Sequence, residues 1–156
     1  MAQAVADASS LIHLEKIKQL GLLEGLFGEV AIPQAVAREV QRGTLPEIPA
    51  WIRVHVLSRP IPSSITKLSL GPGESETMAL ALERQIPRVI LDDLAARELG
   101  RSLGLEIVGT GAVLYKAKLK GLIPAVRPVL DALLATGFRL SPKVYRTLLS
   151  AAGEAD

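Results

Sequence analysis

Ala4-Val5-Ala6-Asp7-Ala8-Ser9-Ser10-Leu11-Ile12-His13-Leu14 sets the pattern for the whole chain. The apolar run Ala4–Ala6 ends at Asp7. Ser9 and Ser10 then precede apolar residues at Leu11, Ile12, Leu14, Ile17, Leu20, Leu22 and Leu23. Such a stretch reads as a strand feeding a helix through a polar turn. The alternation recurs downstream. Glu29–Ile32 reads as extended, and Pro33 suits the first turn of a helix to about Arg42, with Val36, Ala37 and Val40 on its buried face. Gly43–Pro49 reads as a loop and Ile52–Leu57 as a strand. Ser58–Pro72, with three prolines, is the longest irregular segment expected. A helical pattern begins at Gly73 and runs to Gln85, where Pro87 stops it. Arg88–Leu91 then reads as a strand ending in Asp92-Asp93. The helix Leu94–Leu103 closes at Gly104, Leu105–Val108 is a further strand, and Gly109-Thr110-Gly111 opens the helix Ala112–Lys120. Two more helices, about Pro124–Ala135 and Ser141–Ala151, complete the pattern. Strand and helix in alternation predict an α/β fold with a doubly wound, largely parallel sheet.

A length of 156 residues predicts one domain. Apolar residues make up 49% of the chain and aromatics 3%, so the core must come from Leu, Ile, Val and Ala, the palette of a sheet covered on both faces. No cysteine is present, which excludes disulfide scaffolds, zinc ribbons and thiol nucleophiles and leaves His13 and His55 as the imidazoles. No apolar run approaches the ~18 residues of a membrane helix, so a cytoplasmic protein without membrane contact is expected. The net charge of +2 is a weak pointer to nucleic acid. Lys116, Lys118, Lys120 and Arg127 cluster in the C-terminal third, as a solvated face or as a phosphate-binding surface.

Ligands in open α/β sheets bind beyond the carboxyl ends of the strands. Asp7 stands at one such end, and Asp92 and Asp93 at another. Each can equally be the N-cap of the helix that follows. Glu39 interrupts an otherwise apolar-periodic helix, and Glu74 sits in the first turn of its own, where it also complements the helix dipole. If the sheet brings Asp7, Glu39, Glu74 and Asp92 or Asp93 together, their mutual repulsion calls for a divalent cation. Oxygen-only ligands favour Mg²⁺ or Mn²⁺, and one or two such ions could assist phosphodiester hydrolysis.

These segments resemble a known family. Asp7-Ala8-Ser9-Ser10-Leu11, then Val30-Ala31-Ile32-Pro33 with Val36 and Glu39-Val40, look like the opening of PIN-domain proteins. Leu70-Gly71-Pro72-Gly73-Glu74, Leu91-Asp92-Asp93 with Ala96-Arg97, and Gly109-Thr110-Gly111-Ala112-Val113-Leu114 are similar to a prokaryotic PIN subfamily related to VapC-like toxins. The resemblance covers roughly residues 4–150. It implies a three-layer α/β/α, Rossmann-like fold with C-terminal helices and metal-dependent endoribonuclease activity. It further implies a toxin role beside an antitoxin protein, and homodimerisation. By resemblance Asp7, Glu39 and Asp93 take the places of metal-ligating acids, Ser9 is the polar partner beside the first, and Glu74 supplies the remaining acid. Leu91 departs from the pattern, since such toxins usually carry Thr or Ser two residues before the late Asp. A PIN-like module that binds RNA or protein with weak or lost catalysis is the alternative.

Other features point less sharply. Gly109-Thr110-Gly111 is either a turn-and-packing element or an RNA phosphate contact extended by Lys116 and Lys120. It matches neither a dinucleotide fingerprint nor a P-loop. Arg97 and Arg101 suit phosphate contact or pairing with Asp93 or Glu98. His13 reads as a partly buried helix residue, His55 as solvent-facing on a strand, and Trp51 and Tyr115 as core or rim packing. No nucleophile elbow accompanies Ser9 or Ser10, which sets a Ser-His-Asp triad aside.

Overall fold

Strands that are apolar at every position must be covered on both faces, because successive side chains point to opposite sides. The computed structural model describes residues 1–155 and meets that demand. Its elements are β1 (Ala4–Ala6), α1 (Ala8–Lys16), α2 (Gly21–Phe27), β2 (Val30–Pro33), α3 (Gln34–Gln41), β3 (Ile52–His55), α4 (Ser63–Thr66), α5 (Pro72–Arg84), β4 (Arg88–Ile90), α6 (Leu94–Ser102), β5 (Glu106–Val108), α7 (Thr110–Leu119), α8 (Val126–Ala135) and α9 (Pro142–Ala151). The sheet is parallel, in the order β3-β2-β1-β4-β5, with Val5 opposite both Ala31 and Val89. Ala4, Ala6, Val30, Ile32 and Ile90 pack into a core with α1, α2, α3, α7, α8 and α9. Val5, Ala31, Val89 and Leu91 pack into a second core with α4, α5 and α6. The architecture is therefore three-layer α/β/α. Among the described residues no helix is long and apolar enough to cross a membrane.

Successive strands step outward from β1 to β3, and the chain then crosses back so that β4 lies on the other side of β1. The direction of winding reverses between β1 and β4. A crevice opens at the carboxyl ends of two strands that part company in this way, and ligands bind there in open α/β sheets. Asp7 and Asp92 stand at those two ends.

Four local readings are corrected. The apolar pattern through Leu23 does not make one helix: α1 ends at Lys16, Lys18 turns the chain with φ of 59°, and α2 starts afresh at Gly21. No Gly or Pro lies within Ile17–Leu20, so the apolar pattern runs on across the turn, after which α2 packs against α7. Pro33 ends β2 and serves as the N-cap of α3 rather than lying in its first turn. The third strand stops at His55, leaving Val56 exposed at the edge of the sheet. Ser58–Pro72 is less irregular than expected, because α4 forms around a fully buried Ile65. Glu83 holds the start of that segment by accepting from the Ser58 and Arg59 amides at 3.0 and 2.9 Å. The expected stop at Gly104 is present, with φ of 82°, a conformation a Cβ disfavours.

Part of the C-terminal basic cluster is consumed internally. Glu154 accepts from the Val126 and Arg127 amides at 2.7 and 2.9 Å, at the open N-terminus of α8, and from Lys118 Nζ at 2.9 Å. Those bonds hold its carboxyl down to about 2, led by the two amides. A depressed carboxylate stabilises the fold above its ordinary range and loses that contribution as pH falls from about 4.5 to about 2. Glu154→Gln should therefore lower the urea midpoint at pH 6 and match the unsubstituted protein near pH 2. An equal gap at both pH values would show that the charge is not what holds the C-terminus.

Candidate active site

Asp7 owes its position to two requirements that coincide. It must end β1, and it must cap α1, whose first amides lack helical partners. Its Oδ1 accepts from the Ser10 amide at 3.3 Å, and the Ser10 hydroxyl lies 3.3 Å from the same oxygen. Ser10, fully buried, is thus the residue that fixes Asp7, whereas Ser9, expected as that partner, lines the cavity beside it. Asp7 is only 5% exposed. Burial first, and then the neighbouring charge of Asp92, push its carboxyl up to about 7, with Glu74 adding to the rise and the Ser10 bonds opposing it.

Asp92 follows β4 and is half-buried. Its Oδ1 accepts from the Thr110 amide at 2.8 Å, and its Oδ2 accepts from the Thr110 hydroxyl at 2.5 Å. Burial raises this carboxyl, against the two Thr110 bonds and the nearby Arg97. The N-terminus of α7 therefore does receive an anion, and the anion is Asp92. The free phosphate contact weighed for Thr110 is corrected on this ground, since Thr110 is fully buried and both its donors are engaged. Asp93 is exposed and caps α6, accepting from the Ala96 amide at 2.9 Å. The resemblance favours Asp93, yet the geometry gives Asp92 the enclosed position.

Glu39 and Glu74 arrive from α3 and α5. The Glu39 carboxylate lies over Gly73, next to Glu74, so the packing of α3 against α5 brings the two acids to one place. Glu74 folds back over Gly71 at the start of α5. All five acids, Asp7, Glu39, Glu74, Asp92 and Asp93, line one cavity of about 410 Å³ together with Ser9.

The basic residues divide differently. Arg97 lies over Gly109 beside Asp92, a neighbour other than the Asp93 or Glu98 weighed for it. Lys116 and Lys120 line a separate groove with Arg88, which starts β4 at the end of the sheet opposite Asp92. Helix α7 leaves the acid site at Thr110 and rises ~1.5 Å per residue, which carries these lysines away from it. They do not extend a contact made at Thr110. Two residues not chosen from the sequence enter the cavity instead. Arg139 comes from the α8–α9 connection and His13 from α1. Only the helical spacing of His13 from Asp7 hinted at its place, and nothing local marked Arg139.

Oxygen donors in a negatively charged, open cavity suit a hard divalent ion. Among the described residues, no three of these acids and imidazoles form a ready-made ligand shell. Mg²⁺ typically keeps several waters and takes only one or two carboxylates, so the chemistry of the donor set fits it. The neighbouring charges of Asp92 and Glu74 add to the proton affinity that burial gives Asp7, and a carboxylate so placed gains from a cation.

Fold and site together define a three-layer α/β domain built around an acidic crevice. The sequence model of the PIN-domain family matches residues 3–154, and the chain belongs to that family. PIN domains are generally nucleases and typically use divalent metal ions. Searches of curated proteins and of solved structures returned no match.

Proposed function

We propose that the chain is a metal-dependent endoribonuclease folded as one PIN-like domain. The carrying observation is that Asp7 and Asp92, at the carboxyl ends of β1 and β4, open with Glu39 and Glu74 on a single cavity. Mg²⁺ or Mn²⁺, when bound, supplies charge neutralisation and an activated water for phosphodiester hydrolysis. Asp7 and Asp92 are the residues assigned to hold it, assisted by Glu39 and Glu74. Ser10 and Thr110 fix the orientation of the two aspartates, and Arg97 offsets part of the charge of Asp92. Asp93 caps α6 at the cavity mouth.

Arg139 is the cavity's lysine or arginine among the described residues, and it is assigned to an RNA phosphate. It is exposed, so Arg139→Ala should leave the fold intact. The variant should weaken RNA binding at low salt and flatten the salt dependence by about one phosphate contact. An unchanged salt slope would remove Arg139 from the RNA path.

Cleavage of a mixed structured and single-stranded RNA panel, with Mn²⁺ or Mg²⁺, with EDTA, and with Asp7→Asn, tests the nuclease reading. Metal-dependent cleavage lost on substitution supports it. RNA binding without cleavage by folded, metal-replete protein favours the second reading, a catalytically weak PIN-like binding module. That reading draws on Leu91 and on the engagement of both Asp92 oxygens by Thr110.

The proposal extends to a cytoplasmic toxin held in check by an antitoxin protein over the acid cavity, and to a homodimer. Exposed Leu119 and Leu122, 68% and 42% accessible, offer apolar surface for association. Sedimentation of the purified chain, alone and with proteins encoded beside it, tests both.

A further inference from the structure

His13 is the cavity residue whose hydrogen-bonding state the surroundings determine. It lies on α1, six residues after Asp7, and helical side chains lean back toward the N-terminus of their helix, here toward Asp7. Its Nδ1 is 2.7 Å from the Thr136 hydroxyl. That hydroxyl is also 2.6 Å from the Leu133 carbonyl, which can only accept. The single hydroxyl proton therefore goes to Leu133, and the bond to Thr136 must be donated by His13 Nδ1–H. In the neutral imidazole this leaves Nε2 with its lone pair. No partner for Nε2 occurs among the described residues, and no unsatisfied side-chain nitrogen or oxygen is buried among them, so Nε2 is accessible on a ring that lines the cavity. Phe138 packs edge-on against the ring, with centroids 5.4 Å apart, and holds its plane.

A fixed, unpaired acceptor beside a nuclease site distinguishes substrates by the hydrogen they can donate. Phosphate oxygens only accept, and so gain nothing from it. A ribose 2′-hydroxyl can donate, and deoxyribose lacks that group. We propose that His13 is a specificity-determining residue whose Nε2 accepts a hydrogen bond from a ribose 2′-hydroxyl of the strand in the acid cavity. The assignment rests on the reading of that cavity as an RNA site. It makes the Thr136 hydroxyl a positioning group, which acts through His13 and touches no substrate.

The test is binding of single-stranded oligonucleotides of one sequence, with ribose, deoxyribose or 2′-fluoro sugars, measured by fluorescence anisotropy in Ca²⁺. The unsubstituted protein should prefer ribose by about 3- to 10-fold, the size of one neutral hydrogen bond. The 2′-fluoro strand should bind like the deoxy strand, because fluorine cannot donate. His13→Phe keeps a ring against Phe138 and should bring the ribose preference close to one. His13→Gln retains an acceptor and should keep part of the preference, which guards against a variant that merely loosens α1. Equal ribose preference in the His13→Phe and unsubstituted proteins, or 2′-fluoro binding as tight as ribose, would overturn the proposal. Cleavage in Mn²⁺ is scored separately: selective binding without cleavage speaks against the nuclease reading and for His13, while cleavage without ribose selectivity does the reverse. Absence of binding to any of the three strands overturns both.

Discussion

Asp7→Asn should abolish cleavage and, in the same step, stabilise the metal-free protein at alkaline pH. The loss of activity should be on the order of 10²–10³-fold, the scale seen when a group that stabilises transition-state charge is removed. The gain in stability follows from burial. The folded state raises the Asp7 carboxyl from 3.8 to about 7, so it binds that proton more tightly than the unfolded chain does. The stabilisation belonging to this proton is complete below about pH 4 and is lost as pH rises to about 7. At pH 8 the folded protein carries a buried, crowded carboxylate, at a cost of up to about 4 kcal/mol. Asparagine keeps an oxygen for Ser10, remains a good N-cap and carries no charge. Guanidinium denaturation without metal should show the variant matching the unsubstituted protein near pH 4 and exceeding it increasingly towards pH 8. Added Mg²⁺ should narrow the gap at pH 8 by raising the unsubstituted protein alone. Superimposed denaturation curves at pH 8 would mean that Asp7 is not under electrostatic strain, and the argument for a cation at this crevice would weaken with it.

Replacing the two aspartates after β4 should have very different consequences. Asp92→Asn removes a charge from the enclosed side of the cavity while its remaining oxygen can still accept from the Thr110 amide. Cleavage should fall by roughly 10²-fold or more with the fold retained. Asp93→Asn exchanges one good N-cap for another at an exposed position, so activity should stay within a few-fold and stability within about 1 kcal/mol. Thr110→Val should imitate part of the Asp92 effect. It strips the partner from Asp92 Oδ2, leaving a polar oxygen short of a bond at about 1–3 kcal/mol, and frees the carboxylate to rotate. Single-turnover cleavage and thermal melts on the three variants separate these outcomes. Comparable losses from Asp92→Asn and Asp93→Asn would place both carboxylates in the chemistry and end the assignment of Asp93 to capping alone.

Much of this protein is local and therefore legible in the chain itself. Three-residue apolar runs such as Ala4–Ala6 and Val89–Leu91, each followed by an acid and a helical pattern, mark the strands because a parallel sheet must be apolar on both faces. The candidate acids were visible for the same reason, since charge right after such a run lies at a strand's carboxyl end. Glu39 and Glu74 stood out as acids in or beside apolar patterns. The residues by themselves determined an α/β alternation and a set of carboxylates available for metal chemistry.

Tertiary structure decided which of them meet. That β4 pairs with β1 rather than β3 is a long-range choice, and it alone puts Asp92 next to Asp7 at the reversal of the sheet. Neighbours in sequence then separate by direction: Asp92 turns to Thr110 while Asp93 turns to its own helix, and Ser10 rather than Ser9 grips Asp7. Lys116 and Lys120 looked contiguous with Thr110, but a helix that begins at the site carries its last turns to the other end of the sheet. His13 and Arg139, 126 residues apart in numbering, share the cavity because α8 and the loop after it pack back onto α1, bringing Thr136 and Phe138 against the imidazole. Local pattern reports which face of an element is apolar; which other element covers that face, and what its ends carry there, is settled only when the layers close.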